Sequence, residues 1–181
     1  MPLLEVVPSV HTSPGVVDAT VAYWRERGRA PAVLQKECLG FVAIRLAFAL
    51  LRESVHLVSA GVIGVADLDA LVTSSVGPRW AVNPFKSYHQ SGGARGWRAL
   101  LDNIGGTVHA CWDDAGRKEV GQCWEETVVA QTNQAYGRVT PAALAERDCL
   151  TMSILHIVQD EKSTTSADVN NDVTLRASNL E

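Results

Sequence analysis

The chain carries no run of lysines or arginines that would present an electrostatic footprint to nucleic acid. Over 181 residues the formal net charge is −4, and the pI is near 5.7, so charge argues against a polyanionic partner. A long apolar run is also missing. The stretch Leu46 to Leu51 is closed off by Arg45 on one side and by Arg52, Glu53 and His56 on the other, which excludes it as a membrane span. The four cysteines, Cys38, Cys111, Cys123 and Cys149, form no Cys-x-x-Cys pair, and His109-Ala110-Cys111 is the only close His/Cys pair. They therefore read as small buried hydrophobes in preference to metal ligands. No phosphate-binding glycine loop is visible either. Gly92-Gly93-Ala94-Arg95-Gly96 lies ahead of a helix but follows no strand, and it lacks both the Walker lysine and the G-x-G-x-x-G spacing. With no visible place for NAD or ATP, no cofactor is expected. The start, Met1-Pro2-Leu3-Leu4-Glu5, has neither the basic nor the apolar region of a secretory signal, so a cytoplasmic, reducing location is the default expectation.

The segments that are present alternate early and then become helical. Leu3 to Val7 is a short strand ended by Pro8, and Thr12-Ser13-Pro14 opens a helix with proline at its first position, running to about Gly28. Pro31 to Gln35 is a second strand. Helical patterns follow from Leu39 to Ser59, with Gly61 suited to the C-cap, and from Val65 to Val72. Gly77 to Pro84 is expected to break the chain before a helix from Pro84, and further helices are expected over Trp97–Trp112, Glu119–Asn133 and Pro141–Val158. The fold expected is mainly α: a helix bundle preceded by a short β-α-β remnant. Residues 1–38 form the remnant, 39–158 the helical domain, and 159–181, polar and poor in aromatics, a disordered tail. The β-α-β unit cannot cover both faces of two strands by itself, so something must pack on it.

Lys36-Glu37-Cys38-Leu39-Gly40-Phe41-Val42-Ala43-Ile44-Arg45-Leu46 resembles the opening of the first long helix in the C-terminal domain of the 3-hydroxyacyl-CoA dehydrogenase family. The resemblance extends over residues 2 to 158. Pro2 to Pro8 looks like the segment after the family's catalytic histidine motif, and Val65-Ala66-Asp67-Leu68-Asp69 like its next helix start. Arg79-Trp80-Ala81-Val82-Asn83-Pro84-Phe85 resembles the family's arginine, aromatic, Gly-Pro-Phe turn, and Glu146 to Leu150 resembles the L-gulonate 3-dehydrogenase or lambda-crystallin branch. The family implies an NAD-binding Rossmann domain that supplies the catalytic serine and histidine, and the chain looks as though it begins after both. Glu5 then matches the glutamate that orients that histidine. Where the family has a hydrogen-bonding asparagine this chain has Ile44, which can neither donate nor accept. The turn is one residue short, with Asn83 for glycine and Lys86 for an acidic residue. The family's helical domain is also a dimer interface, so the resemblance implies a homodimer.

Glu5, His89 and Lys86 are the candidate catalytic residues, and Ile44, Arg45, Trp80, Asn83 and Tyr88 the candidate substrate-binding ones. His89, with Lys86 and Tyr88, makes a polar patch able to donate hydrogen bonds or move protons; the plainer alternative is a partly exposed helix histidine. Arg45 is either a surface residue or the partner of Glu5 or Glu53. Trp24, Trp80, Trp97, Trp112 and Trp124 form a large load beside only three phenylalanines, and core packing is their ordinary use. A cleft lined by tryptophan and Ile44 would instead suit an apolar small molecule.

Three functions follow. The first, narrowly favoured, is cofactor-independent biosynthetic catalysis, a cyclase or isomerase acting by cyclisation, pericyclic closure or isomerisation of an apolar small-molecule substrate held in reactive geometry. The second is an accessory subunit completing a separate Rossmann chain. The third is a degenerate dehydrogenase fragment.

Overall fold

The computed structural model describes the backbone of residues 1–178, with side chains through residue 160. The chain is mainly helical after a short β-α-β start. In order it forms β1 (Leu3–Val6), α1 (Pro14–Arg25), β2 (Ala30–Val33), α2 (Phe41–Ser59), α3 (Val65–Ser74), α4 (Val76–Val82), α5 (Pro84–Ser91), a 3-10 turn at Gly93–Arg95, α6 (Trp97–Asp114), α7 (Trp124–Tyr136) and α8 (Pro141–Ser178). Two compact units emerge, Met1–Ser54 and Val55–Glu181. Most of the disordered tail expected at 159–181 lies outside the residues whose side chains are described.

In the first unit β1 and β2 pair in parallel, Leu3 opposite Ala30 and Val6 opposite Val33. The Ala30 N–H donates to the Pro2 carbonyl at 2.9 Å and the Leu34 N–H to that of Val6 at 2.9 Å. Alternate residues of a strand turn their backbone groups to opposite edges, so Ala30, Ala32 and Leu34 face β1 while Pro31 and Val33 face outward. Pro31 has no N–H, which leaves the outer edge of β2 poor in donors. The other outer edge, at Leu3 and Glu5 of β1, keeps its full set. Leu34 is the buried residue of this unit.

Helix α2 starts under strain. Gly40 and Phe41 both take positive φ, 75° and 51°, and for a phenylalanine that conformation is uncommon. The preceding Cys38-Leu39-Gly40 supplies no capping side chain. Instead the Glu5 carboxylate comes across from β1: its Oε1 accepts from the Val42 N–H at 2.8 Å and the Ala43 N–H at 3.3 Å. Two amides that no helical carbonyl reaches are satisfied in this way.

In the second unit Val55 and Val58, on the last turns of α2, are buried. Helix α3 packs against α4 and α7, α4 against α5, and α5 against α6. The expected break from Gly77 to Pro84 is corrected, because α4 forms there. Pro78 lies in its first turn, where a missing N–H costs no helical hydrogen bond. Gly77 lets α4 start tightly on α3, since a Cβ would stand 2.8 Å from the Val72 carbonyl oxygen. The chain breaks only at Asn83, extended at φ −164° and ψ 92°, which ends α4 and begins α5. Helix α7 starts five residues later than its pattern suggested. Gly121 is left-handed at φ 87°, the Glu125 carboxylate accepts its N–H, and the Trp124 indole donates to the Glu119 carbonyl at 2.8 Å.

Among the described residues only Leu34, Val55 and Val58 are buried hydrophobes. From Phe41 to Arg52 every residue of α2 except Ala43 is exposed, including Ile44, Leu46, Phe48 and Leu51. A helix that is apolar on all sides is normally a buried one.

Candidate functional site

The candidate residues fall into two sets, one in each unit. In the first, Glu5, Ile44 and Arg45 gather around the start of α2. With its Oε1 occupied by the Val42 and Ala43 amides, Glu5 fixes where that helix begins. One turn in, Ile44 and Arg45 border a depression of about 600 Å³ together with Leu39, Gly40, Phe48, Ala49 and Arg52. Its lining combines the hydrocarbon of Leu39, Ile44, Phe48 and Ala49 with the two arginines. Phe48 and Arg52 were not among the residues picked from the sequence. Their spacing of four and seven from Ile44 and Arg45 places them on the same helix face, and that periodicity is the signal that finds them.

In the second unit Trp80, Asn83, Lys86, Tyr88 and His89 follow one another along α4 and α5. Trp80 is half exposed on α4 and Asn83 forms the hinge between the two helices. Tyr88 is engaged in packing: its ring lies 5.7 Å from that of Trp97, tilted by 42°, and Phe85 meets the same indole at 6.0 Å. His89 Nδ1 accepts from the Trp97 main-chain N–H at 3.4 Å. Gly96, left-handed at φ 55°, lies so close to the His89 ring that a Cβ there would overlap it. A Cβ at Gly92 would likewise overlap the Gly96 carbonyl. The Gly92–Gly96 glycines thus serve the tight turn and the seat of His89. Trp97 and Gly96 are the partners that sequence reasoning left out.

A further polar contact joins α3 to α7. The Tyr136 hydroxyl donates to Asp69 Oδ2 at 2.6 Å, and that carboxylate, first by its hydrogen bond, raises Tyr136 above the ordinary tyrosine range. Nearby, the Gln131 side-chain oxygen accepts from the Val65 N–H at 3.1 Å and caps α3. Among the described residues no group of three or more His, Cys, Asp or Glu side chains is placed to hold a metal ion. No helix there is long and apolar enough to cross a membrane.

Residues 40–106 match the family model of the 3-hydroxyacyl-CoA dehydrogenase C-terminal domain. The chain is 35% identical over 150 residues to an L-carnitine dehydrogenase of Streptomyces griseus subsp. griseus, a match covering 82% of this chain and 45% of that protein. It is 31% identical over 165 residues to the L-carnitine dehydrogenase of Pseudomonas putida, covering 90% of this chain and 51% of the other. Among solved structures it resembles 5-formyl-3-hydroxy-2-methylpyridine 4-carboxylic acid 5-dehydrogenase, an NAD+-dependent dismutase. That likeness has a TM-score of 0.63 and 29% identity, over 87% of this chain and 52% of that one. Within the family the sequence motifs resemble the L-gulonate 3-dehydrogenase branch, whereas these relatives carry the name L-carnitine dehydrogenase. The chain spans about half the length of the curated relatives it matches. Residues 40–106, which run from the turn before α2 into α6, therefore belong to the 3-hydroxyacyl-CoA dehydrogenase C-terminal domain family.

Proposed function

We propose that this chain is the helical half of an oxidoreductase assembly of the 3-hydroxyacyl-CoA dehydrogenase type, and that it works by completing a nucleotide-binding domain, in the cytoplasm. The observation that carries this reading is the two-stranded parallel sheet: β2 is edged by Pro31 while β1 presents the full backbone edge of Leu3 and Glu5. Parallel strands in pairs alone are marginal and belong to larger, covered sheets. The exposed apolar length of α2 supports the same view, and it equally supports a homodimer.

The residues present do not fit NAD. Among the described residues no strand passes through a glycine-rich turn into a helix, and the one glycine-rich turn is filled by His89. No step through the nicotinamide is therefore assigned to these side chains. Their part is to position: Glu5 sets the start of α2, and α2 presents Ile44, Phe48 and Arg45 at the depression. Ile44 offers shape without hydrogen bonding.

The test is co-production with the nucleotide-binding half of the Streptomyces griseus relative. A soluble complex that reduces NAD+ with L-carnitine or another 3-hydroxy acid is expected. Calorimetric binding of NAD+ by the chain alone, or failure of the two halves to associate, would sink the proposal. A second reading, cofactor-independent cyclisation or isomerisation of an apolar molecule, draws on the hydrocarbon that Ile44 and Phe48 contribute to the lining of the depression. Uptake of a hydrophobic dye by a free dimer, lost in Phe48→Ala, would favour it.

A further inference from the structure

We propose that the face of α5 bearing Lys86 and His89 is an oxyanion-binding site that takes a carboxylate or phosphate group. The inference goes beyond the reading above and stands whether or not the chain joins a redox assembly.

The imidazole is oriented from two sides. The Trp97 N–H at the start of α6 donates to Nδ1, and the ring fits where Gly96 has no side chain. An imidazole whose Nδ1 accepts carries its proton on Nε2. That N–H, on the opposite side of the ring, is a donor held in fixed direction on an exposed residue. Lys86, also exposed, stands three residues earlier on the same face of α5. An ammonium and an N–H one helical turn apart suit the two oxygens of a carboxylate or two of a phosphate.

The charge of the neighbourhood agrees. Although the whole chain is acidic, from residue 70 to residue 101 it holds Arg79, Lys86, Arg95 and Arg98 and no aspartate or glutamate. The first acid after this stretch, Asp102, pairs with Arg95 at 2.5 Å. No ion pair to Arg79, Lys86 or Arg98 occurs among the described residues. The rings of Phe85 and Tyr88 against Trp97 hold α5 on α6, so the two donors sit on a braced helix.

The experiment uses the full chain, labelled with nitrogen-15, with ring signals read by long-range proton–nitrogen correlation. His89→Gln identifies the His89 signals among the five histidines. The Nε2–H tautomer is expected. Sodium phosphate and sodium acetate are then each titrated against sodium chloride at matched ionic strength. One or both should shift the His89 ring saturably, and which one does so separates a phosphate from a carboxylate preference. Lys86→Ala should raise the apparent Kd about fivefold to tenfold, the effect of one charge-assisted hydrogen bond near water, while circular dichroism stays unchanged. An Nδ1–H tautomer, shifts no larger than with chloride, or an unchanged Kd in Lys86→Ala would each overturn the proposal.

Discussion

Helices α2 and α6 face the same difficulty and meet it differently. Each begins just after a left-handed glycine, Gly40 or Gly96, with no serine, threonine or aspartate at the position that normally caps a helix. For α2 the missing acceptor arrives from far along the chain, as the carboxylate of Glu5 thirty-seven and thirty-eight residues away from Val42 and Ala43. For α6 it comes from His89, eight residues back. A long-range cap makes the start of a helix depend on tertiary structure, because the loop between must close first. A local cap forms with its own turn. The strained Phe41 belongs with the first arrangement, and strain of that kind persists only where surroundings over-determine it.

The comparison breaks most visibly at Gly96. Alanine there must adopt a positive φ and overlap the His89 ring, which should cost about 2–3 kcal/mol and lower the thermal midpoint clearly by circular dichroism; an unchanged midpoint would refute the seat assigned to His89. Next comes Glu5→Ala, expected to cost about 1–2 kcal/mol as a lost cap, with Glu5→Gln recovering part because an acceptor oxygen remains. Equal losses in the two variants would argue against capping. His89→Ala removes a longer, exposed hydrogen bond and should cost about 0.5–1 kcal/mol, less than Glu5→Ala in the same assay. The smallest effect is at Tyr136. Its folded pKa lies above the unfolded value near 10.0, so its contribution is complete below that pH and fades as pH rises through the higher folded value. Above pH about 10 the midpoint of the parent should fall further than that of Tyr136→Phe; parallel curves would dismiss the Asp69 contact.

The two caps also mark how far sequence carries. Helical periodicity located α2, α3, α5, α6 and the start of α8, because an apolar repeat near 3.6 is written locally. It failed at α4, where Gly77 and Pro78 read as breakers though both fall within a first turn that tolerates them. It also misplaced the start of α7, since the contacts of Gly121 and Trp124 are invisible before folding. Glu5 and Ile44 were found through family resemblance, but that the carboxylate meets the amides of α2 depends on the fold. His89 was chosen, and its partners were not: nothing in Gly92–Gly96 announces that its last glycine leaves room for an imidazole.

Pro31 limits what this protein can do in a crowd. A sheet fragment with two receptive edges can pass strand pairing from molecule to molecule without end. With a proline on the outer edge of β2, which removes one of its outward donors, recruitment through β1 is favoured over β2. Strand addition is thereby biased to one side of the sheet, which works against the head-to-tail stacking of copies into filaments.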